Sequence, residues 1–143
     1  MFEVAEAYER QRGRSSKLLA PLFTDFVGLG VHGAVLDIGC GTGALTFVIA
    51  KNQAVSKIIG CDLSEAFLEY ARSKTDDPRI SFEQGDAHKL PFPDASFDCC
   101  LALLVMSFLT DARKAAMEML PCDSAWRHRR DRNVGHHWRK PVE

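Results

Sequence analysis

Three glycines at alternate positions, Gly39, Gly41 and Gly43, stand between two apolar runs, and that punctuation constrains the chain more than any other feature. The run before them carries Val31, Ala34, Val35, Leu36 and Ile38, and the run after them begins at Ala44. A strand that enters such a turn and leaves it as a helix can adopt positive φ there and bring bare backbone against a flat polar ligand. The helix start that follows is expected to present unpaired N–H groups. The spacing therefore predicts a nucleotide-like ligand at this bend.

Which nucleotide is decided by charge. Gly39-x-Gly41-x-x-Ala44 satisfies the loose dinucleotide fingerprint, so a nicotinamide-dependent (NAD(P)) oxidoreductase domain is one reading. Asp37, two residues before Gly39 at the carboxyl end of the strand, argues the other way. Its carboxylate repels a diphosphate and attracts the α-ammonium of an amino-acid-like ligand.

Further along, Ile58-Ile59-Gly60-Cys61-Asp62 is a second short apolar strand ending in an acid, about 20 residues after the glycine turn, where a carboxylate can take both ribose hydroxyls. Ser64 reads as the N-cap of a helix through Phe67 and Tyr70, and a strand from Ile80 to Glu83 leads into Gly85-Asp86-Ala87. Leu90-Pro91-Phe92-Pro93-Asp94-Ala95-Ser96-Phe97-Asp98 turns into a fourth strand. These ordered segments resemble class I S-adenosylmethionine-dependent methyltransferases, in particular the methyltransferase type 11, ubiquinone-biosynthesis-like branch. The resemblance implies S-adenosyl-L-methionine as cofactor and a small-molecule methyl acceptor as partner. It places Asp37 at the amino group, Gly39, Cys40 and Gly41 along the methionine moiety, Asp62 and Leu63 at the ribose, and Asp86 and Ala87 beside the adenine. Ala102 and Leu103 align with positions lining the methionine end, where family members often carry polar residues. Tyr8-Glu9-Arg10 and Gly13-Arg14-Ser15-Ser16 resemble the helical lid before the nucleotide domain, so Tyr8 and Arg14 are expected to meet the cofactor carboxylate or the substrate.

Element patterning supports an α/β fold independently. Helices are expected over about 2–12, 16–28, 43–51, 64–74 and 111–120, and strands over 34–38, 57–61, 80–83 and 97–104. The strands around Val35 and Cys100 are continuously apolar, as central parallel strands are. The fold class expected is a Rossmann-like doubly wound parallel sheet, incomplete at about four strands, with N-terminal helices. Residues 1–30 read as the lid segment, 31–120 as the N-terminal half of the nucleotide-binding domain, and 121–143 as a basic tail outside the family pattern.

At 143 residues, 46% hydrophobic and net charge −1, the composition argues against nucleic-acid or membrane partners. No segment is long enough to span a bilayer, and Glu3, Glu6 and Glu9 do not suit a secretory signal, so a cytoplasmic address is expected. The five cysteines lack metal-binding or disulfide spacing and read as reduced, buried thiols. His88 has an imidazole suited to general base work but sits on a connecting segment, where a solvated turn is expected; Asp111 reads as a first-turn helix acid.

After Leu120 the pattern changes. Arg127, Arg129, Arg130, Arg132, Arg139 and Lys140 with Trp126 and Trp138 follow no apolar period. Shifting the reading frame by one base through Cys122 to Trp138 gives codons compatible with an Arg-Pro-Gly-Gly turn, which is the family's continuation. A frameshifted, disordered tail is therefore expected, and the coding DNA tests it. The other readings are a non-catalytic fragment whose basic tail binds nucleic acid or a protein, and a metal held by Cys122, His128, His136 and His137. Without later strands, the 97–104 strand becomes an open edge that invites a homodimer, and catalysis is expected to suffer.

Overall fold

A computed structural model describes residues 2–28 and 33–122. The expectations resting on residues 123–143 (tail disorder, basic contacts, the histidine cluster) lie outside the described residues, as does the 30/31 boundary. Four parallel strands form one sheet, β1 (Gly33–Ile38), β2 (Val55–Asp62), β3 (Ile80–Gln84) and β4 (Cys99–Leu101), in the order β3-β2-β1-β4. The chain steps outward from β1 to β2 to β3, then returns to lay β4 on the other side of β1. That reversal puts a switch point beyond the carboxyl end of β1, where open α/β sheets hold their ligands. The expected α/β fold class is the one observed.

Alternation along β1 explains the two cores. Val35 points to one face and packs with Ala20, Leu45, Ile49, Val55, Ile58 and Leu101, beneath α2 (Arg14–Val27) and α3 (Ala44–Ile49). Leu36 and Ile38 point to the other and meet Ile59, Leu90, Phe97 and Cys122 beneath α5 (Ala112–Cys122). Helix α4 (Glu65–Arg72) covers the β3 side of the first face through Leu68, Ala71 and Phe82. Helix α5 runs past Leu120, so the boundary expected there falls inside a helix, and the Cys122 carbonyl accepts the Phe97 N–H at 3.0 Å.

The N-terminal segment is one continuous helical stretch rather than two helices. Between α1 (Phe2–Tyr8) and α2 lies a wider π turn, Glu9–Gly13, so no break occurs near residue 13. Turns of this kind are inserted where side chains must be re-aimed. α2 ends at Gly28, left-handed at φ 62, whose N–H returns to the Asp25 carbonyl.

The fourth strand is shorter than the expected 97–104. It pairs from Val35↔Cys99 to Asp37↔Leu101, and β1 then leaves the sheet at Gly39, so residues beyond Leu101 have no ladder to join. Leu104 turns left-handed at φ 62 and Met106–Phe108 form one 3₁₀ turn. Ser64 occupies the N-cap position with extended backbone but makes no side-chain cap. Asp111 does cap α5, its Oδ1 accepting the Lys114 N–H at 2.9 Å.

Candidate functional site

The glycine turn closes on itself. The Gly39 and Cys40 N–H groups both donate to the Cys61 carbonyl, at 2.7 and 3.1 Å, and Gly43 N–H donates to the Cys40 carbonyl at 2.9 Å. Gly41 N–H donates to Asp62 Oδ2 at 2.9 Å. The tip of β2 thus lies alongside the turn and takes the Gly39, Cys40 and Gly41 N–H groups, while the turn itself takes that of Gly43. The glycines are needed for shape. Gly39 sits at φ 67, and a Cβ there would lie 2.2 Å from Val105 Cγ2.

Asp37 is 1% exposed and points under α3, where Thr46 Oγ1 donates to its Oδ2 at 2.6 Å. Burial pushes its carboxyl up from 3.8 to about 7, against the lowering by the Thr46 hydroxyl and N–H, and the Asp62 charge raises it further. It faces the crevice through a small pocket of ≈ 20 Å³ shared with Tyr8, Ser16, Gly39, Thr42 and Leu103. Asp62 is the more open carboxylate. Its Oδ1 accepts the Ser64 N–H at 2.9 Å while Oδ2 holds Gly41, so backbone N–H groups fix both oxygens.

Asp62 also stands where two larger cavities meet. One, of ≈ 390 Å³, is lined on its β2–β3 side by Leu63, Gly85, Asp86, Ala87 and His88, and opposite them by Val105, Phe108, Leu109 and Thr110. The other, of ≈ 340 Å³, is lined by Tyr8, Arg12, Gly41, Phe67, Leu103 and Phe108. Tyr8 stacks on Phe67 with ring centroids 4.7 Å apart, and the Arg12 guanidinium lies 5.1 Å from the Phe108 ring centre. Most of the sequence-derived site residues therefore converge on one crevice. Cys40 does so as a buried thiol, its Sγ 3.7 Å from the Gly41 carbonyl, and burial raises its pKa well above the ordinary value.

Arg14 is the exception. It is exposed on α2 and lines none of these three cavities, whereas Arg12 does. Tyr8 and Arg12 are four apart and share a helix face, a spacing that could have found Arg12 from sequence. Glu9 also went unseen: its carboxylate accepts the Thr42 hydroxyl and pairs with Lys17, tying the N-terminal helix to the glycine turn. Nor is His88 the solvated turn residue expected, since Nδ1 lies 2.8 Å from Asp86 Oδ1 and Nε2 accepts the Asp111 N–H at 3.3 Å. These contacts hold the Asp86 carboxyl below its ordinary value, chiefly through the His88 backbone N–H. Among the described residues, no cluster of His, Cys, Asp or Glu could hold a metal ion and no helix is long and apolar enough to cross a membrane.

Residues 35–121 match a family described as methyltransferase domain. The chain is 34% identical over 87 residues to a demethylmenaquinone methyltransferase of Deinococcus radiodurans, covering 59% of this chain and 36% of that one. Among solved structures, the YcgJ protein of Bacillus subtilis superposes with TM-score 0.66 at 30% identity, over 73% of this chain and 45% of that one. An S-adenosyl-L-methionine-dependent methyltransferase, described as putative, from Methanococcus maripaludis gives TM-score 0.68 at 25% identity, over 85% and 56%. The chain spans well under half the length of curated relatives such as the Deinococcus radiodurans enzyme. Fold, motif order and family match agree: the chain belongs to the methyltransferase-domain family, of the class I S-adenosylmethionine-dependent type.

Proposed function

We propose that this chain binds S-adenosylmethionine across the crevice beyond β1, β2 and β3 and presents it to a small-molecule methyl acceptor. The observation that carries this reading is the glycine turn, whose N–H groups at Gly39, Cys40, Gly41 and Gly43 are engaged within the protein while Asp37 and Asp62 flank it. A diphosphate requires free N–H donors in the turn and no carboxylate beneath it such as Asp37. The oxidoreductase reading loses its support there.

The residues present fit the cofactor. Each Asp62 oxygen accepts one N–H, and a carboxylate offers about four lone-pair directions, so both oxygens keep capacity for a vicinal diol. The ≈ 390 Å³ cavity beside it falls within the roughly 300–1,000 Å³ of ordinary ligand pockets. Leu63 and Ala87 would flank the adenine, with Asp86 at its amino edge. On the other side of Asp62, Tyr8, Gly39, Gly41 and Leu103 would hold the methionine moiety, Asp37 its ammonium and Arg12 its carboxylate.

S-adenosylmethionine, when bound, supplies a methyl group on a sulfonium that needs no further activation. The chain's own contribution is orientation and exclusion of water, which in favourable geometry lowers a barrier by up to ~7–11 kcal/mol. Tyr8, Phe67 and Phe108 line the second cavity with aromatic surface. His88 serves no base role, because both ring nitrogens are held. Calorimetry on the whole chain with S-adenosylmethionine and with NADH tests the ligand: heat with the first alone is expected, and binding of NADH alone would overturn it.

A further inference from the structure

One side chain spans the mouth of the ≈ 390 Å³ cavity. Gly85, Asp86, Ala87 and His88 form one lip, on the segment leaving β3, and Val105, Phe108, Leu109 and Thr110 form the other, on the segment between β4 and α5. These lips are remote in sequence, and no strand pairing joins them. His88 belongs to the first and bonds to the second: Nε2 accepts the Asp111 N–H at 3.3 Å and lies 3.5 Å from Thr110 Oγ1. We propose that His88 is a positioning residue for the adenosine half of the cofactor, acting as a latch that holds the two lips at the separation the adenosine requires.

The chemistry of the latch sets its tautomer. A backbone N–H can only donate, so Nε2 facing Asp111 carries a lone pair. The ring proton then sits on Nδ1 and is donated to Asp86 Oδ1 at 2.8 Å. Asp86 is held at the same oxygen by the His88 backbone N–H, at 2.8 Å. Asp86 is thereby oriented on one side and Asp111, the α5 cap, on the other. His88 side-chain exposure is 19%, low for a turn residue and consistent with a bridge. A hydrogen-bonded pair of this kind acts as an outer support, keeping a ligand-contacting carboxylate in one rotamer.

This inference rests on the cavity being the adenosine site, and its test separates the two claims. Binding of adenosine, and of S-adenosylhomocysteine, is measured by calorimetry for the whole chain and for His88→Ala and His88→Gln, with thermal melts confirming that each variant folds. His88→Ala is expected to weaken both ligands by about tenfold, since adenosine alone senses the cavity. His88→Gln, whose Oε1 can still accept the Asp111 N–H, is expected to recover most of that loss, and a general packing defect would give no such rescue. In the wild type, amide exchange at Asp111 should be slow, and ¹⁵N spectra should show the Nδ1–H tautomer. Adenosine binding by His88→Ala within twofold of wild type, or equal Asp111 exchange in both, overturns the latch and leaves the cofactor proposal standing. Failure of the wild type to bind either ligand ends both.

Discussion

The two sides of the crevice are held by different means. On the β1–β2 side, backbone does the holding: the glycine turn hydrogen-bonds to the Cys61 carbonyl, and Asp62 is gripped by the Gly41 and Ser64 N–H groups. On the β3–β4 side the His88 backbone N–H also grips Asp86, but the two lips are joined by side chains, through the His88 ring and the Asp111 cap, and the Asp86 carboxyl is 50% exposed. Backbone contacts within a buried turn cannot relax without unfolding it, whereas side-chain bridges can be broken one at a time. The first side is therefore a rigid floor and the second an adjustable wall. Substitutions of the floor's glycines should cost folding, whereas those of side chains that face the crevice should change affinity.

The sharpest way to break this contrast is Gly39→Ala. The backbone at φ 67 disfavours any Cβ, and the added carbon would lie 2.2 Å from Val105 Cγ2, so strain and overpacking act together. A loss of about 2–5 kcal/mol is expected in urea unfolding. A melt unchanged from wild type would show that the turn is not rigid. Next in size is Asp62→Ala, which removes the acceptor for two backbone N–H groups and for the proposed ribose contact. Calorimetry should show about a hundredfold weaker S-adenosylmethionine binding, with adenosine weakened as much.

Asp37→Asn tests the floor through pH. The folded-state pKa of Asp37 is raised from 3.8 to about 7, so the protein binds that proton more tightly when folded. The contribution is full below about 3.8 and is lost as pH rises through about 7, leaving a buried charge at pH 8. Asparagine carries no such charge, so the variant should be more stable than wild type at pH 8, by about 1–3 kcal/mol, and by a clearly smaller margin at pH 5. Its binding of S-adenosylmethionine should fall while that of adenosine holds, because only the former brings an ammonium. Equal pH dependence in both proteins would remove Asp37 from this role.

Much of this floor was legible in the sequence, and the reason is local. Glycine at positive φ, an apolar strand before it and an acid closing the next strand are all written in adjacent residues, so Gly39, Asp37 and Asp62 could be picked without coordinates. That the sheet is parallel followed from strands alternating with helices. The wall was legible only in part: Asp86 and Ala87 were picked, but His88 bonds to the Asp111 N–H, a partner 23 residues away that no periodicity marks. The length of β4 was misjudged for a related reason. Its apolar run continues to Val105, but the ladder stops where β1 turns away at Gly39. Asp37 was read as a group open to ligand, and only the placement of Thr46 on α3 shows that it lies beneath a helix.

The smallest expected effect concerns the N-terminal helix, where a choice between two arginines remains. The sequence reading favoured Arg14, six residues from Tyr8 and so on a different helix face. The structure puts Arg12 into the ≈ 340 Å³ cavity with Tyr8, its guanidinium over Phe108. That stacking leaves the edge donors of the guanidinium free to meet a carboxylate in its plane. Arg12→Ala should therefore weaken S-adenosylmethionine by about fivefold to tenfold and leave adenosine, which has no carboxylate, unchanged. Arg14→Ala, on the exposed side of α2, should change neither. If instead Arg14→Ala carries the loss and Arg12→Ala does not, the π turn at Glu9–Gly13 must rewind into regular helix when ligand arrives, rotating Arg14 toward the crevice. The N-terminal helix would then join the adjustable wall.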